Sequence, residues 1–427
     1  MTRIIIALAA LAALAAPATA SAGIFGTDPL NISVAPNGAP ANGSSGGPAV
    51  SGDNRKTRLA AFWSDATNLV GGDTNDVTDV FVWSRPRGGQ GLELAPRAGS
   101  LQRVSVGAGG RQANGPSRNP SLDGSVAKAP HCVAFQSEAS NLAAGDADTT
   151  ADIFVRDLRV RQTFLVSRGI SGAASDPSID GACRDVAFVS GNRILVAGVK
   201  GGSPRVIGTG RNPDFSLDGT ALTWERGSSI VLRRNGRTSV VGAGQDPTVS
   251  DAERLSGKNS SEWGVSFETR ASLVGRDRNP GYDMYMRVFG PFGGVKRTDL
   301  ISAAARGAGS LGGDSYNGGI TAYAPNRGIL VFTHTEGQSS DMYYRNNNSG
   351  NIDDLAHSAA LNGTPGITEV QTSARANFVA FSSSYTGDLA RPFSGRTPRG
   401  VPGGLIDELF SPTQNVYFKH LIDGERI

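Results

Sequence analysis

Residues Asn119 to Arg168 read NPSLDGSVAKAPHCVAFQSEASNLAAGDADTTADIFVRDLRVRQTFLVSR. A Pro-led segment and an Asp-Gly turn lead into the apolar run Cys132-Val133-Ala134-Phe135. An acidic loop then precedes Ile153-Phe154-Val155, and Thr163-Phe164-Leu165-Val166 closes the unit. Short apolar runs bounded by turn residues read as strands, and Asp-Gly between two of them signals a hairpin. The stretch therefore predicts one four-stranded antiparallel sheet.

Degraded copies of this unit extend in both directions. The second strand carries an aromatic near its end, at Phe62, Phe135, Phe188, Trp224, Phe267, Phe332 and Phe381. A third strand follows each one, at 79–83, 152–157, 193–198, 230–234, 283–288, 341–346 and 415–420. A four-stranded unit that cannot bury its own faces must stack on its copies, and for antiparallel sheets the closed solution is radial. The predicted fold class is all-β, a β-propeller of seven blades, or six if the weak fourth copy (212–243) merges with a neighbour. Nearly continuous apolar runs such as Leu330-Val331-Phe332 suit sheets packed on both faces. Leu30-Asn31-Ile32-Ser33-Val34 looks like the fourth strand Leu101 to Val106, and the sequence stops soon after the last third strand. Residues 30–34 are expected to complete the last blade and close the ring, leaving no unpaired edge.

Met1-Thr2-Arg3, the apolar run Ile4 to Ala16 and the small residues up to Ala22 read as a secretory signal peptide over 1–22. The expected mature chain, 23–427, is one propeller domain, exported to the periplasm or beyond, with no membrane span. The 57 Gly and 22 Pro fall between short apolar runs, which favours turns over disorder. With 41 Lys+Arg against 38 Asp+Glu there is no concentrated basic balance, which argues against nucleic acid as a partner. A monomer is expected. Cys132 and Cys183 lie in neighbouring copies and are either a disulfide or two buried thiols; without spaced histidines they do not read as a zinc site.

The pattern Asn-Pro-Ser-Leu-Asp-Gly, Val-Ala-Phe, Asp-Ile-Phe-Val-Arg-Asp resembles the TolB-like, WD-like propeller repeat of exported bacterial proteins. The likeness is strongest over 47–168 and weakest in the fourth copy. It implies a periplasmic or secreted interaction scaffold. TolB carries an α/β domain before a six-bladed propeller, and the length here leaves no room for that domain.

Three loops between second and third strands share one spacing: Asp73, Asn75, Asp79; Asp146, Asp148, Asp152; and Asp277, Asn279, Asp283. Flexible acidic loops suit calcium, which takes several oxygen ligands. The alternative is that Asp and Asn cap the turn, the last Asp fixing the start of strand three. Gly43-Ser44-Ser45-Gly46-Gly47 matches a hydrolase string, but its place in a Gly/Pro-rich linker is wrong for a nucleophile. His131, His334, His357 and His420 show no partner spacing, and Trp63, Trp83, Trp224 and Trp263 read as packing between blades. An insertion in the seventh copy, 385–413, is a candidate binding loop.

No catalytic residue, resident metal ligand or required cofactor stands out, so the expected function is non-enzymatic: a scaffold for a protein or glycan partner. The rivals are a hydrolase or lyase with its site in the central channel and a calcium-stabilised structural component. Converging Asp, Glu, His and Arg at the channel mouth would favour an enzyme. A channel lined by small and apolar residues would favour a binder.

Overall fold

In five of the seven copies the second and third strands pair so that their aromatics face each other, while Phe188 and Trp224 face Leu195 and Val231. Phe62 lies opposite Phe81, Phe135 opposite Phe154, Phe267 opposite Tyr285, Phe332 opposite Tyr343 and Phe381 opposite Tyr417. Ring centroids in these pairs lie 5.5–6.5 Å apart, a separation at which offset stacking adds to the gain from burial. The computed structural model describes residues 29–420 apart from 54–57, 86–98, 126, 147, 252, 255–260, 291–292, 305–308, 321–328, 347–349, 351, 360–365, 373–377, 386–388 and 390–409.

Seven antiparallel sheets result. Blade 1 comprises Ser45–Val50, Leu59–Ser64, Asp79–Ser84 and Ser100–Arg103. Blade 2 comprises Ser117–Leu122, Cys132–Ser137, Asp152–Asp157 and Gln162–Leu165, and blade 3 Ala174–Ile179, Asp185–Ser190, Arg193–Gly198 and Arg205–Thr209. The weak fourth copy forms its own blade 4, Arg211–Phe215, Ala221–Arg226, Ser229–Arg234 and Arg237–Ala243, so the count is seven and not six. Blade 5 (Gln245–Val249, Ser261–Thr269, Asp283–Phe289, Val295–Leu300) gains a short extra strand, Glu253–Arg254. Blade 6 is Asp314–Ile320, Ile329–Glu336, Ser339–Asn346 and Ile352–Ala359. Blade 7 takes Ile367–Thr372, Phe378–Tyr385 and Phe410–His420 from the end of the chain and Leu30–Asn31 from its beginning.

That last pairing closes the ring as the sequence predicts. Leu30 and Asn31 register with Phe418 and Tyr417, and the Ile32 amide continues the ladder to the Val416 carbonyl at 2.9 Å. Ser33 Oγ accepts the Val416 amide at 3.0 Å, just as Ser105 Oγ accepts Val80 and Ser167 Oγ accepts Ile153 in blades 1 and 2. The first strands of consecutive blades touch around the whole circle, blade 7 meeting blade 1.

Alternate residues of a strand face different neighbours. In blade 2, Val133 and Phe135 pack toward blade 1, while Cys132 and Ala134 pack toward blade 3. Both faces are therefore buried, which is why the apolar runs are continuous. Burying a phenylalanine of this kind contributes about 1.5–3 kcal/mol, and Phe135→Ala would cost about 3–5 kcal/mol. Among the described residues there is no α-helix, and no helix is long and apolar enough to cross a membrane. The expected signal peptide lies outside the described residues. So does the 385–413 insertion, apart from Tyr385, a buried Leu389 whose carbonyl accepts the His357 amide, and the start of the last strand.

Candidate functional site

Every first strand breaks register once, at a bulge. One residue in each bulge has φ between 47° and 58°: Gly47, Asn119, Asp176, Asn212, Asp246, Asn317 and Glu369. Gly, Asn and Asp tolerate this left-handed conformation best. Proline follows in five blades, at 48, 120, 177, 213 and 247, and it fits because a bulge position needs no ladder donor. The first strand thus begins before the proline rather than at it. In blade 1 it contains Ser45, whose Oγ hydrogen-bonds Ser64 Oγ, so the last three residues of the hydrolase-like string lie in a strand.

The seven bulges ring one mouth of the central channel, where Gly47, Asn119, Asp176, Glu369, Gln371 and neighbouring prolines line a recess of about 300 Å³. Deeper in, a cavity of about 260 Å³ is walled by Pro, Ala, Val, Ile, Leu and Phe side chains and by Ser, Thr and Gln side chains, together with Asp214 and Asp251. At the other end the backbones of blades 1 to 4 close in: the Gly52 amide donates to the Asp123 carbonyl, Gly124 to Gly181 and Gly181 to Leu217. A Cβ on Gly181 would sit 2.3 Å from the Gly124 carbonyl oxygen, so only glycine permits this approach.

Five carboxyls belong to the bulge-ringed mouth, and three of them join one blade to the next. Glu225 Oε1 accepts the Asp246 amide at 2.8 Å and Asn212 Nδ2 at 2.7 Å, while Oε2 accepts Arg211 Nε at 2.5 Å. Glu268 Oε1 accepts the Asn317 amide at 2.6 Å, and Glu369 Oε2 accepts the Gly47 amide at 2.8 Å. Asp176 and Asp246 are themselves bulge residues. Burial, then the charges of Asp246 and Glu225, push the Glu268 carboxyl up to about 7. Burial pushes Asp214 and Asp251 up to about 7 as well, the latter with help from Asp218. The carboxyls of the mouth accept N–H donors, above a cavity of mixed polar and apolar lining.

The three acidic loops, alike in spacing, differ in filling. In blade 1, Arg103 Nη1 donates to Asp73 Oδ1 and Asp79 Oδ2, both at 2.9 Å, and to Gln112 Oε1 at 2.8 Å. A guanidinium stands where a cation would. In blade 2, Leu165 occupies the position of Arg103, each facing the third-strand aromatic, and the carboxylates of Asp146, Asp148 and Asp152 lie within 4.8 Å of one another. In blade 5 the Tyr285 hydroxyl donates to Asp277, Asn279 Nδ2 bonds the Gly313 carbonyl, and burial pushes Asp283 up to about 7. Turn capping is also present: Asp146 and Asp148 accept the Asp148 and Thr150 amides, and Asp277 accepts that of Asn279. The last aspartate of each loop accepts a serine two residues past the fourth strand, Ser105, Ser167 or Ser302. The calcium expectation is carried furthest by the blade 2 loop, where three carboxylates converge within 4.8 Å.

Trp83 packs across blades on Phe418, Trp224 is buried with Nε1 on the Thr209 carbonyl, and Arg118 and Arg234 lie over Trp63 and Trp263. Two histidines do have carboxylate partners that spacing concealed: His357 faces Asp341 across a strand pair at 3.1 Å, and His131 lies 3.0 Å from Asp123. His334 meets Ser315. Cys132 and Cys183 form a disulfide joining blades 2 and 3.

No protein-family model matches the sequence, and no curated protein matches it. Solved structures with similar folds include TolB from Acinetobacter baumannii (14% identity, TM-score 0.36), aligned over 65% of this chain and 59% of its own. They also include U3-55K (10% identity, TM-score 0.45, 85% of this chain and 92% of its own) and an oligogalacturonate lyase in complex with manganese (11%, 0.36, 69% and 86%). The chain spans 59% of the length of that TolB structure. These likenesses stop at the propeller fold.

Proposed function

We propose that this chain is an exported, non-enzymatic scaffold whose protein or glycan partner docks on the bulge-ringed face and places an N–H-rich or basic group in the channel mouth. The observation that carries the reading is the ring of bulges itself: Asp176 and Glu369 line a recess of about 300 Å³, and Glu225, Asp246 and Glu268 belong to the neighbouring bulges. Three of these carboxyls already hold the backbone of the next blade, which suits a rigid receptor. Rigid, pre-formed sites lose less entropy on binding. The rival hydrolase or lyase draws on Asp214 and Asp251, whose near-neutral carboxyls could transfer protons at neutral pH.

The test is an array of basic, neutral and acidic peptides and of neutral oligosaccharides, probed with the exported chain. Basic peptides should be retained, less so in high salt. Retention should weaken as pH falls from 8 to 6, because Glu268 then takes up its proton and the mouth loses negative charge. Asp176→Arg should abolish capture, whereas Val240→Asp on the exposed outer strand of blade 4 should not. Preference for acidic peptides, or capture that only the outer-strand variant loses, would defeat this reading; turnover of an arrayed ligand would favour the enzyme.

The convergence of Asp146, Asp148 and Asp152 supports a second, subsidiary reading, that the blade 2 loop binds calcium and stiffens the ring. That reading is tested by the stability measurements in the Discussion.

A further inference from the structure

Four potential ligands meet where blade 2 joins blade 3. Asp123 and His131 come from the turn between the first two strands of blade 2, Cys132 opens its second strand, and Cys183 comes from the equivalent turn of blade 3. The Asp123 carboxylate, His131 imidazole and both sulfurs all lie within 4.8 Å of one another. Asp123 is fully buried. Its Oδ1 accepts the His131 and Cys132 amides at 2.7 and 2.8 Å, which aims Oδ2 at His131 Nδ1, 3.0 Å away. Neither Asp123 Oδ2 nor His131 Nδ1 makes a hydrogen bond, and both atoms are buried. Buried polar atoms are seldom left in this state.

We propose that, once the disulfide is reduced, Asp123, His131, Cys132 and Cys183 form a tetrahedral site for a zinc-like divalent ion. The donor set, two thiolates with one imidazole and one carboxylate, is the borderline-soft mixture that zinc takes. Bonds of about 2.0–2.3 Å place ligand atoms about 3.3–3.8 Å apart in a tetrahedron. The cluster must contract slightly while the two sulfurs separate. Its backbone frame does not depend on the disulfide: the Gly124 amide bonds the Gly181 carbonyl at 3.2 Å, linking the two turns, and the Cys183 amide bonds the Asp180 carbonyl at 3.1 Å.

The redox step needs a dithiol reductant. One of its thiolates attacks Sγ of Cys183, the less buried cysteine, and the S–S bond breaks with Cys132 leaving as thiolate. The second thiol of the reductant resolves the mixed disulfide, freeing Cys183 and leaving the reductant oxidised by two electrons. The metal then takes both sulfurs as thiolates and displaces any thiol protons. In either state a bond path staples blade 2 to blade 3: sulfur to sulfur when oxidised, sulfur to metal to sulfur when reduced.

The experiment reduces the full exported chain with a dithiol, removes the reductant without oxygen, and titrates cobalt(II). Wild type should bind one equivalent, with thiolate-to-cobalt charge transfer and the visible bands of tetrahedral cobalt, both erased by zinc. The oxidised protein should show neither, and His131→Ala should weaken binding by on the order of 100-fold. If reduction unfolds the protein by circular dichroism, cobalt should restore the fold. Reduced wild type that binds no cobalt, folded or not, overturns the proposal. So does a His131→Ala, Asp123→Asn double variant that binds as tightly as wild type, since the dithiol alone would then account for the metal.

Discussion

The acidic loops of blades 1 and 2 share a spacing and a place in the fold, and they differ in what neutralises them. In blade 1 four oxygen-bearing side chains, Asp73, Asn75, Asp79 and Gln112, close on Arg103, itself 9% exposed, while Asp73 and Asp79 are 3% and 1% exposed. In blade 2 the fourth strand offers Leu165 at that position, and the carboxylates of Asp146, Asp148 and Asp152 converge within 4.8 Å. One residue on a different strand decides whether an acidic loop is a finished structural knot or a place for an external cation. Identical spacing in sequence is therefore no evidence of identical chemistry.

The largest effect should come from removing the cation in blade 1. Arg103→Leu leaves Asp73 and Asp79 buried beside each other, and breaking a buried pair by deleting one partner costs about 3–5 kcal/mol. Urea unfolding should show that loss, and calcium should recover part of it if the loop then behaves as blade 2 does. A loss below about 1 kcal/mol would mean that the blade 1 carboxylates do not need the guanidinium.

Next in size is the calcium increment of the wild type. For a dissociation constant near 0.1–1 mM, about 10 mM calcium should add about 1.4–2.7 kcal/mol to the unfolding free energy. Leu165→Arg, which copies blade 1 into blade 2, should abolish the increment. An increment that survives this change would place calcium elsewhere.

The propeller was legible because both faces of every blade are buried, which forces continuous apolar runs and an aromatic at one position of each second strand. The serine of the orphan strand, Ser33, stood in plain view as the counterpart of Ser105. The site was far less legible. Arg103 lies 30 positions from Asp73 and reaches it across the sheet. Glu225 and Glu268 follow the second-strand aromatic, where other blades place Trp63, Gln136, Val189, Thr333 and Ser382. The position recurs, but its chemistry does not. One signal was available: Gly, Asn or Asp before Pro in five first strands, a pairing that marks a left-handed residue at a bulge. His131 was concealed because Asp123 reaches it across a turn and Cys183 from another blade.

Blade 5 adds a third way of neutralising the loop, by proton and tyrosine. With Asp283 pushed up to about 7, above its ordinary 3.8, the folded state holds a proton that the unfolded state has released between those values. Its contribution to stability is therefore full at low pH and lost as pH rises toward 7. Between pH 6 and pH 8 the wild type should lose on the order of 1 kcal/mol more than Asp283→Asn, which cannot titrate there. Equal slopes for the two proteins would remove the proton from this account.

The smallest effect separates stability from binding in the blade 2 loop. Asp148 is exposed, and its Oδ1 caps the Thr150 amide at 2.7 Å. Asparagine keeps an acceptor oxygen there, so Asp148→Asn should change stability without calcium by no more than about 0.5 kcal/mol. It should nevertheless erase most of the calcium increment, because a neutral amide replaces one of three charges around the ion. The same exchange in blade 1 is already present as Asn75, in a loop where Arg103 supplies the positive charge. If Asp148→Asn destabilises the calcium-free protein by more than about 1 kcal/mol, the loop is built around its cap and the resemblance to a cation site is incidental. If it costs nothing without calcium and removes the increment, the two loops are one device whose cation comes from the chain in blade 1 and from solution in blade 2.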